Sequence, residues 1–328
     1  MEPKPVVYFD LFDTLVTVDR GYLEAYFDRE TDRMGDNGTL KDARSTIERL
    51  VELNPDLAKR YSIDQMSRDY EQYMKNSLMN IRPGVIEMLE GLKAAGYKLC
   101  IISDAAEVDI KSWQQSPLAK YFDETVFSCK IGIVKPDLRL FEYAQSKMGA
   151  LGMGGIYIGD GGHDELIAAK VLRMDTIKAE YIKNRRTEDI NNFADYHAPA
   201  EQDVVETAQL LHRAPSRFSQ CDRLDFMLTM QTDAQIPDIM RKLQNLQKNM
   251  MEKGAAVYFQ DANVPFTPGT YQVKGTIATA VPLTRNIIEE LETELKDIGV
   301  AVGAKSEALF YEDGYDTNLI DNESVVIE

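Results

Sequence analysis

The chain has 328 residues, of which 44% are hydrophobic, so it can form more than one packed domain and is too apolar for a disordered chain. Its net charge of −17 disfavours nucleic acid and anionic membrane surfaces as partners. Three widely spaced cysteines, Cys100, Cys129 and Cys221, favour reduced thiols over a disulfide framework. We expect no signal peptide and no membrane-spanning segment, and therefore a cytoplasmic protein.

The first predicted element is a strand over 6–9, which leads directly into Asp10. Its four bulky residues, two of them β-branched and two aromatic, are typical of a buried parallel strand. Asp10 then falls at the carboxyl end of the strand, where open α/β sheets bind their ligands. Because many strands end in an acidic turn residue, Asp10 alone predicts little.

A long stretch with helical periodicity, 21–79, follows the first strand. It is too long for a connecting loop, so it predicts a small helical subdomain that ends before Pro83-Gly84. Beyond it, apolar strands alternate with helices. Strands are predicted over 99–103, 124–128, 155–158, 176–179 and 194–196, with helices over 109–119, 138–148 and 164–172. This alternation predicts a parallel sheet with right-handed crossovers.

The last third of the chain has a different pattern. After a linker at 212–216, the predicted order is strand, helix, strand, strand, helix, strand. This βαββαβ order is typical of a ferredoxin-like α+β domain, and it implies no particular function. Dimerisation through an exposed sheet and regulation of the N-terminal part are the two interpretations that we keep open.

Polar residues follow four apolar runs of the N-terminal part in a fixed order. The segments are Phe9-Asp10-Leu11-Phe12-Asp13-Thr14-Leu15, Ile101-Ile102-Ser103-Asp104, Val134-Lys135-Pro136-Asp137 and Ile158-Gly159-Asp160-Gly161-Gly162-His163-Asp164. Through these motifs, residues 1–211 resemble the haloacid dehalogenase-like hydrolase superfamily. The insertion after the first motif resembles the cap of its subfamily I, C1-type members.

The resemblance implies a domain organisation for the whole chain. A Rossmann-like α/β core would comprise 1–16 and 83–211, with a helical cap at 17–82. The ferredoxin-like domain would then occupy 217–328.

The motif residues also permit a definite chemistry. A carboxylate beside a divalent cation can attack phosphorus and form an aspartyl-phosphate. Mg²⁺ suits such a site because it prefers carboxylate, phosphate and water oxygens. Asp160 and Asp164, four residues apart at a strand-to-helix junction, would converge on one ion. A serine hydroxyl and a lysine ammonium would hold the phosphoryl oxygens.

The resemblance implies a role for each of these residues. Asp10 would be the nucleophile and a metal ligand, Thr14 would orient the first loop, Ser103 and Lys135 would contact phosphate, and the Phe12 backbone carbonyl, Asp160 and Asp164 would complete the Mg²⁺ site. Asp164 would also suit the N-cap of the next helix. Glu165 is interpreted as a first-turn helix charge, and His163 receives no role.

The first motif departs from the family at Phe12. Phosphatases of the family usually have a second Asp there, which protonates the leaving group and later activates water. Such acid–base help is typically worth about 10²–10⁴ in rate. Asp13 cannot replace Phe12 if the segment is extended, because neighbouring side chains then point to opposite sides. We interpret Asp13 as a turn residue.

Three interpretations of this departure remain. The protein is a Mg²⁺-dependent phosphatase of a small phosphorylated metabolite, with unusual chemistry suited to acyl or anhydride phosphates. Carbon–halogen or carbon–phosphorus chemistry is a second interpretation, and the metal-binding form of the fourth motif disfavours dehalogenation. Alternatively, the core is catalytically weak or inactive, and the protein binds, regulates or forms a homodimer through its C-terminal domain.

Overall fold

The computed structural model describes residues 4–17, 42–53, 55–182, 194–214, 222–231, 236–261, 270–279, 285–301 and 305–312. The chain divides into two compact units, Met1–Ala214 and Pro215–Glu328. Each unit has its own sheet and its own hydrophobic core. Among the helices in these ranges, none combines the length and the apolar character that crossing a bilayer requires.

A parallel sheet forms the centre of the N-terminal unit. Its strands are β1 (Val6–Phe9), β2 (Lys98–Ser103), β3 (Glu124–Phe127), β4 (Gly155–Gly159), β5 (Met174–Ala179) and β6 (Tyr196–Ala198). Their order is β3-β2-β1-β4-β5-β6, and every neighbouring pair is parallel. The strand order reverses between β1 and β4, which opens a crevice at their carboxyl ends. The predicted Rossmann-like α/β core is confirmed.

Helices cover this sheet and occupy the described part of the long insertion after β1. They are α1 (Ala43–Leu53), α2 (Asp56–Arg60), α3 (Ile63–Met79), α4 (Pro83–Ala94), α5 (Ser128–Ile131), α6 (Leu138–Lys147), α7 (Glu165–Val171) and α8 (Glu201–Arg213). Apolar residues of β1, β2 and β4 share one buried cluster with residues of α4 and α8. This packing fixes the strand ends that carry the motif residues.

The insertion helices α1, α2 and α3 have a small core of their own, formed by Ile47, Leu50, Leu57 and Met66. Helices therefore occupy the described part of the predicted cap. Residues 18–41, which belong to the same prediction, lie outside the described residues. The cap boundaries at 17 and 82 stay a prediction.

The prediction of a helix over 109–119 is wrong. The chain instead forms two short 3₁₀ helices, Trp113–Gln115 and Ala119–Tyr121. Pro117 explains the difference, because proline has no N–H and its ring clashes with the carbonyl four residues earlier in an α-helix. The Ser116 hydroxyl also donates to the Leu78 carbonyl at 2.7 Å, which fastens this segment to the end of α3.

Two of the three cysteines lie in the described ranges, and both carry free thiols. Cys100 is buried in β2, where burial and the nearby Glu124 and Asp123 raise the pKa of its thiol. Cys129 is half-buried, and Cys221 lies outside the described residues. Cys129 packs against the main hydrophobic cluster, so both described thiols act as packing residues.

The C-terminal unit has an antiparallel sheet with two helices. Its elements are β7 (Asp222–Gln231), α9 (Ile236–Glu252), β8 (Ala255–Asp261), β9 (Thr270–Thr279), α10 (Arg285–Ala301) and β10 (Lys305–Glu312). The strand order is β10-β7-β9-β8, with antiparallel neighbours throughout. The element order matches the predicted βαββαβ pattern. Apolar residues of β7, β8, β9 and both helices form its core.

Candidate functional site

Asp10 lies at the carboxyl end of β1, in the crevice between β1 and β4. Its backbone N–H donates to the Ile158 carbonyl at 2.9 Å, so the residue continues the pairing of the two strands. The side chain is buried, and both carboxylate oxygens have partners. Lys135 Nζ donates to Oδ1 at 2.6 Å, and Thr14 Oγ1 donates to Oδ2 at 3.1 Å. Lys135 and Thr14 thus fix the orientation of the Asp10 carboxylate.

Lys135 brings a buried cation to this carboxylate. Its backbone N–H donates to Asp104 Oδ1 at 2.8 Å, which holds the loop that carries it against the end of β2. Its Nζ bridges Asp10 and Glu165, at 2.6 Å from an oxygen of each. Burial alone lowers the pKa of Lys135, but the charges of Asp10 and Glu165 outweigh it and raise that pKa well above its ordinary value. Lys135 is therefore a permanent cation.

Glu165, the first residue of α7, is part of the site rather than an exposed helix charge. Its side chain is fully buried. Oε2 accepts hydrogen bonds from Lys135 Nζ at 2.6 Å and from the Tyr157 hydroxyl at 2.8 Å, and Oε1 accepts one from the Gly161 N–H at 3.1 Å. These three donors hold the carboxylate in one position. Burial raises the pKa of the neighbouring Tyr157 hydroxyl far above its ordinary value, so this hydroxyl remains a donor.

Sequence reasoning missed Glu165 because it considered only the local helix start. Two signals were available. Residues 166–171 are almost entirely apolar, which indicates that the whole of α7 is buried. Gly159 precedes the loop, and a Cβ at that position would lie 2.0 Å from Glu165 Oε1. The glycine therefore leaves the space that the Glu165 carboxylate occupies.

Asp10, Asp160 and Glu165 form a cluster of carboxylates. One oxygen of each lies within 4.8 Å of the others, and all three residues are buried. The Gly162 N–H donates to Asp160 Oδ1 at 2.9 Å, which orients this side chain at the end of β4. In the described part of the chain this is the one group of three metal-ligating side chains so placed.

The electrostatics of the cluster favour a further cation. Burial, opposed by Lys135 and reinforced by the charge of Asp160, raises the pKa of Asp10 to about 6. Burial in the same surroundings raises the pKa of Glu165 to about 8. Three carboxylates around one ammonium leave excess negative charge, which a bound cation would relieve. Hard oxygen donors of this kind fit Mg²⁺.

Asp164 is not a member of this cluster. It has a left-handed backbone with φ of 50°, and its side chain makes no capping hydrogen bond to α7. Burial raises the pKa of Asp164, against the opposing charge of His163. The structure thus brings Glu165, and not the predicted Asp164, next to Asp10 and Asp160.

Ser103 and Phe12 lie at the carboxyl ends of the neighbouring strands β2 and β1. Ser103 is the last residue of β2 and is fully buried, and its hydroxyl is 3.4 Å from the Asp104 carbonyl. Phe12 is half-buried, and its side chain packs against the main hydrophobic cluster. The bridge between Phe12 and Val16 uses the Leu11 and Val16 carbonyls, so it does not engage the Phe12 carbonyl proposed as a ligand.

Asp13 does not have the extended backbone that the sequence argument assumed. Its φ is 61°, a left-handed conformation in which Asp and Asn are tolerated better than bulkier residues. Its N–H donates to the Val16 carbonyl at 2.7 Å and closes the turn after β1. These features agree with the interpretation of Asp13 as a turn residue.

Comparisons with known proteins agree with this geometry. Residues 39–179 match the family model of haloacid dehalogenase-like hydrolases. A glyceraldehyde 3-phosphate phosphatase of Methanocaldococcus jannaschii is 30% identical over 143 residues, which are 43% of this chain and 61% of that protein. A second glyceraldehyde 3-phosphate phosphatase, from Methanothermobacter thermautotrophicus, is 30% identical over 32% of this chain and 46% of its own length.

The chain therefore spans about half the length of the curated relatives that it matches. Among solved structures, a predicted phosphoglycolate phosphatase from Haemophilus somnus covers 64% of this chain and all of its own, with 19% identity and a TM-score of 0.46. The match over 39–179 includes the second, third and fourth motifs, so this part of the chain is similar to the haloacid dehalogenase-like hydrolases, and the strand order reverses beside Asp10.

Proposed function

We propose that the N-terminal unit is a Mg²⁺-dependent phosphatase of a small phosphorylated metabolite and that Asp10 is its nucleophile. The observation that carries the proposal is the setting of Asp10. Its carboxylate lies at the strand-order reversal, 2.6 Å from the buried ammonium of Lys135 and in a cluster with Asp160 and Glu165. The names of the two relatives, both glyceraldehyde 3-phosphate phosphatases, support the substrate class.

In the proposed reaction, a carboxylate oxygen of Asp10 attacks the phosphorus atom. The bond between phosphorus and the leaving-group oxygen breaks, and the leaving group departs with the electron pair. Water then attacks the phosphorus of the aspartyl-phosphate, which releases inorganic phosphate and restores the carboxylate. Lys135 and Ser103 would hold the phosphoryl oxygens, and Thr14 would keep Asp10 in its orientation.

Mg²⁺, when bound, would supply positive charge that neutralises the nucleophile and the phosphoryl oxygens. Asp10 and Asp160 would hold the ion, and Glu165 lies close enough to contribute an oxygen. The Phe12 carbonyl and Asp164 remain proposed ligands on the resemblance alone. The cytoplasmic location and a homodimer are likewise proposals, and size-exclusion chromatography would test the second.

Turnover of a panel of phosphate esters and acyl phosphates with Mg²⁺ tests the proposal. We expect the Asp10→Asn variant to lose at least about 10³-fold in kcat, because the amide is not a nucleophile. Asp175→Asn is the matched control, because Asp175 is equally buried but lies on β5 beside Ile156, near the opposite end of β4. Equal turnover by wild type and Asp10→Asn would contradict the proposal.

Phe12 favours a second candidate function. Its side chain packs against the core and cannot exchange a proton, so a poor leaving group would depart unprotonated. The chain would then act on acyl or anhydride phosphates, or serve as a binding or oligomerising module through its C-terminal unit. A Phe12→Asp variant that gains strong activity on alkyl phosphates would identify a missing acid–base step. Useful wild-type turnover of any physiological phosphate would exclude a pure binding role.

A further inference from the structure

Tyr157 is a buried polar residue of β4 to which the proposed reaction gives no role. It pairs with Tyr8 of β1 and with Thr176 of β5, and its side chain is fully buried. Its ring packs against Phe141 of α6, with 5.3 Å between the ring centroids. These contacts alone would fit a tyrosine that only fills the core.

The hydroxyl of Tyr157 reaches the candidate active site. It donates to Glu165 Oε2 at 2.8 Å, and the same oxygen accepts from Lys135 Nζ at 2.6 Å. Lys135 Nζ in turn donates to Asp10 Oδ1 at 2.6 Å. A continuous series of three hydrogen bonds therefore runs from the Tyr157 hydroxyl to the proposed nucleophile.

Strand β4 also provides the space for this arrangement. Gly159 is two residues after Tyr157 and therefore lies on the same face of the strand. A Cβ at position 159 would lie 2.0 Å from Glu165 Oε1 and 3.1 Å from the Tyr157 ring. The Tyr157-x-Gly159 sequence thus supplies both a donor for the Glu165 carboxylate and the room for it.

We propose that Tyr157 is a positioning residue that acts through Glu165 to hold the Lys135 ammonium against Asp10. The inference rests on the proposed function for what Lys135 does to substrate. Without the hydroxyl, Glu165 Oε2 keeps only Lys135 as a donor, and Oε1 keeps the longer 3.1 Å bond from Gly161. The carboxylate then rotates more freely, and Lys135 loses its fixed direction towards the phosphoryl group.

The Tyr157→Phe variant tests this inference, because it removes only the hydroxyl and keeps the ring against Phe141. With a phosphate ester that the wild type hydrolyses, we expect kcat to fall on the order of ten-fold while KM changes less than about two-fold. Tyr8→Phe is the matched control. Its hydroxyl is also buried on the neighbouring strand and has no hydrogen-bond partner among the described residues. A role confined to packing would leave kcat equal in both variants.

A double-variant cycle shows whether the effect passes through Glu165. We expect Tyr157→Phe to cost nothing further in kcat once Glu165→Ala is present, because that variant has no side-chain oxygen to connect the hydroxyl with Lys135. Additive losses would overturn the inference, since they would mean that Tyr157 acts by another route.

A crystal structure of Tyr157→Phe gives a test that needs no activity. We expect the Lys135 Nζ to Asp10 Oδ1 contact to lengthen beyond hydrogen-bonding distance, or the Glu165 carboxylate to turn away from Lys135. Unchanged contacts at both places would overturn the inference. If the wild type turns over no phosphate, the proposed function fails, and this structure still decides whether Tyr157 positions Lys135.

Discussion

Two buried lysines of the N-terminal unit have opposite surroundings. Lys170, on α7, forms an ion pair with Asp195, whose Oδ2 also accepts from the Thr176 N–H and hydroxyl, both at 2.9 Å. Through Asp195, this ion pair ties α7 to β5. Lys135 instead contacts Asp10 and Glu165 in a cluster that also contains Asp160.

The difference separates a structural ion pair from a candidate catalytic one. Burying charge costs stability unless each charge is paired and hydrogen-bonded. The Lys170 pair meets this condition with residues of the chain alone. The Lys135 cluster does not, because three carboxylates surround one ammonium. Burial, reinforced by the neighbouring carboxylates, raises the pKa values of Asp10 and Glu165. Such uncompensated charge in a crevice is typical of a functional site.

Substitution of Lys135 should affect turnover most. In Lys135→Met, the phosphoryl group loses a fixed cation, and we expect kcat to fall about 10²–10³-fold with saturating Mg²⁺. Steady-state hydrolysis of an aryl phosphate measures this loss. A fall of less than about three-fold would show that Lys135 has no direct part in the reaction.

The same substitution at Lys170 should affect stability instead. Lys170→Met leaves Asp195 without its cation in a buried setting, so we expect a loss of about 3–5 kcal/mol in the free energy of unfolding. Urea denaturation of the N-terminal unit measures the loss, and kcat per folded molecule should stay within two-fold of wild type. If Lys170→Met lowered kcat as much as Lys135→Met does, the distinction between the two lysines would be wrong.

Mg²⁺ should stabilise the protein through the cluster. At a hundred times its Kd, an ion that binds only the folded chain adds about 2.7 kcal/mol, seen as a rise in Tm. We expect Asp160→Asn to lose most of this rise, and Lys170→Met, measured from its own lower Tm, to keep it. The Asp164→Asn variant tests whether Asp164 binds the ion together with Asp10 and Asp160. A loss there as large as in Asp160→Asn would support Asp164 as a ligand.

Sequence order predicted the strand that carries Asp10, the loop that carries Lys135 and the position of Asp160, because each motif follows an apolar run. It did not predict Glu165, whose place depends on how α7 packs against Gly159. Nor did it predict the 3₁₀ turns at 113–121, because the prediction followed the helical periodicity and gave too little weight to Pro117. Local patterns reveal strand ends well, but they do not reveal which charges the fold buries together.

Asp109 is a third buried ionisable side chain of the N-terminal unit. It accepts hydrogen bonds from the Tyr70 hydroxyl of α3 at 2.7 Å and from the Ala106 N–H at 2.8 Å, with no lysine or arginine among its described partners. Burial, opposed by these two bonds, raises the pKa of Asp109 from 3.8 to about 6. The folded state therefore binds the proton more tightly than the unfolded state. The contribution of protonated Asp109 to the free energy of unfolding is complete below about pH 4 and is lost as the pH rises through 6.

Removal of the Tyr70 hydroxyl should steepen this pH dependence. In Tyr70→Phe the ionised carboxylate loses a donor, the pKa of Asp109 rises further, and the loss of stability extends to higher pH. We expect about 1–3 kcal/mol of destabilisation at pH 8 and a smaller effect at pH 5, measured by urea unfolding at both values. Asp109→Asn is the control, because it removes the titrating group and with it this part of the pH dependence. A Tyr70→Phe effect of equal size at both pH values would mean that the hydroxyl stabilises the contact between α3 and the segment after β2 without regard to the charge of Asp109.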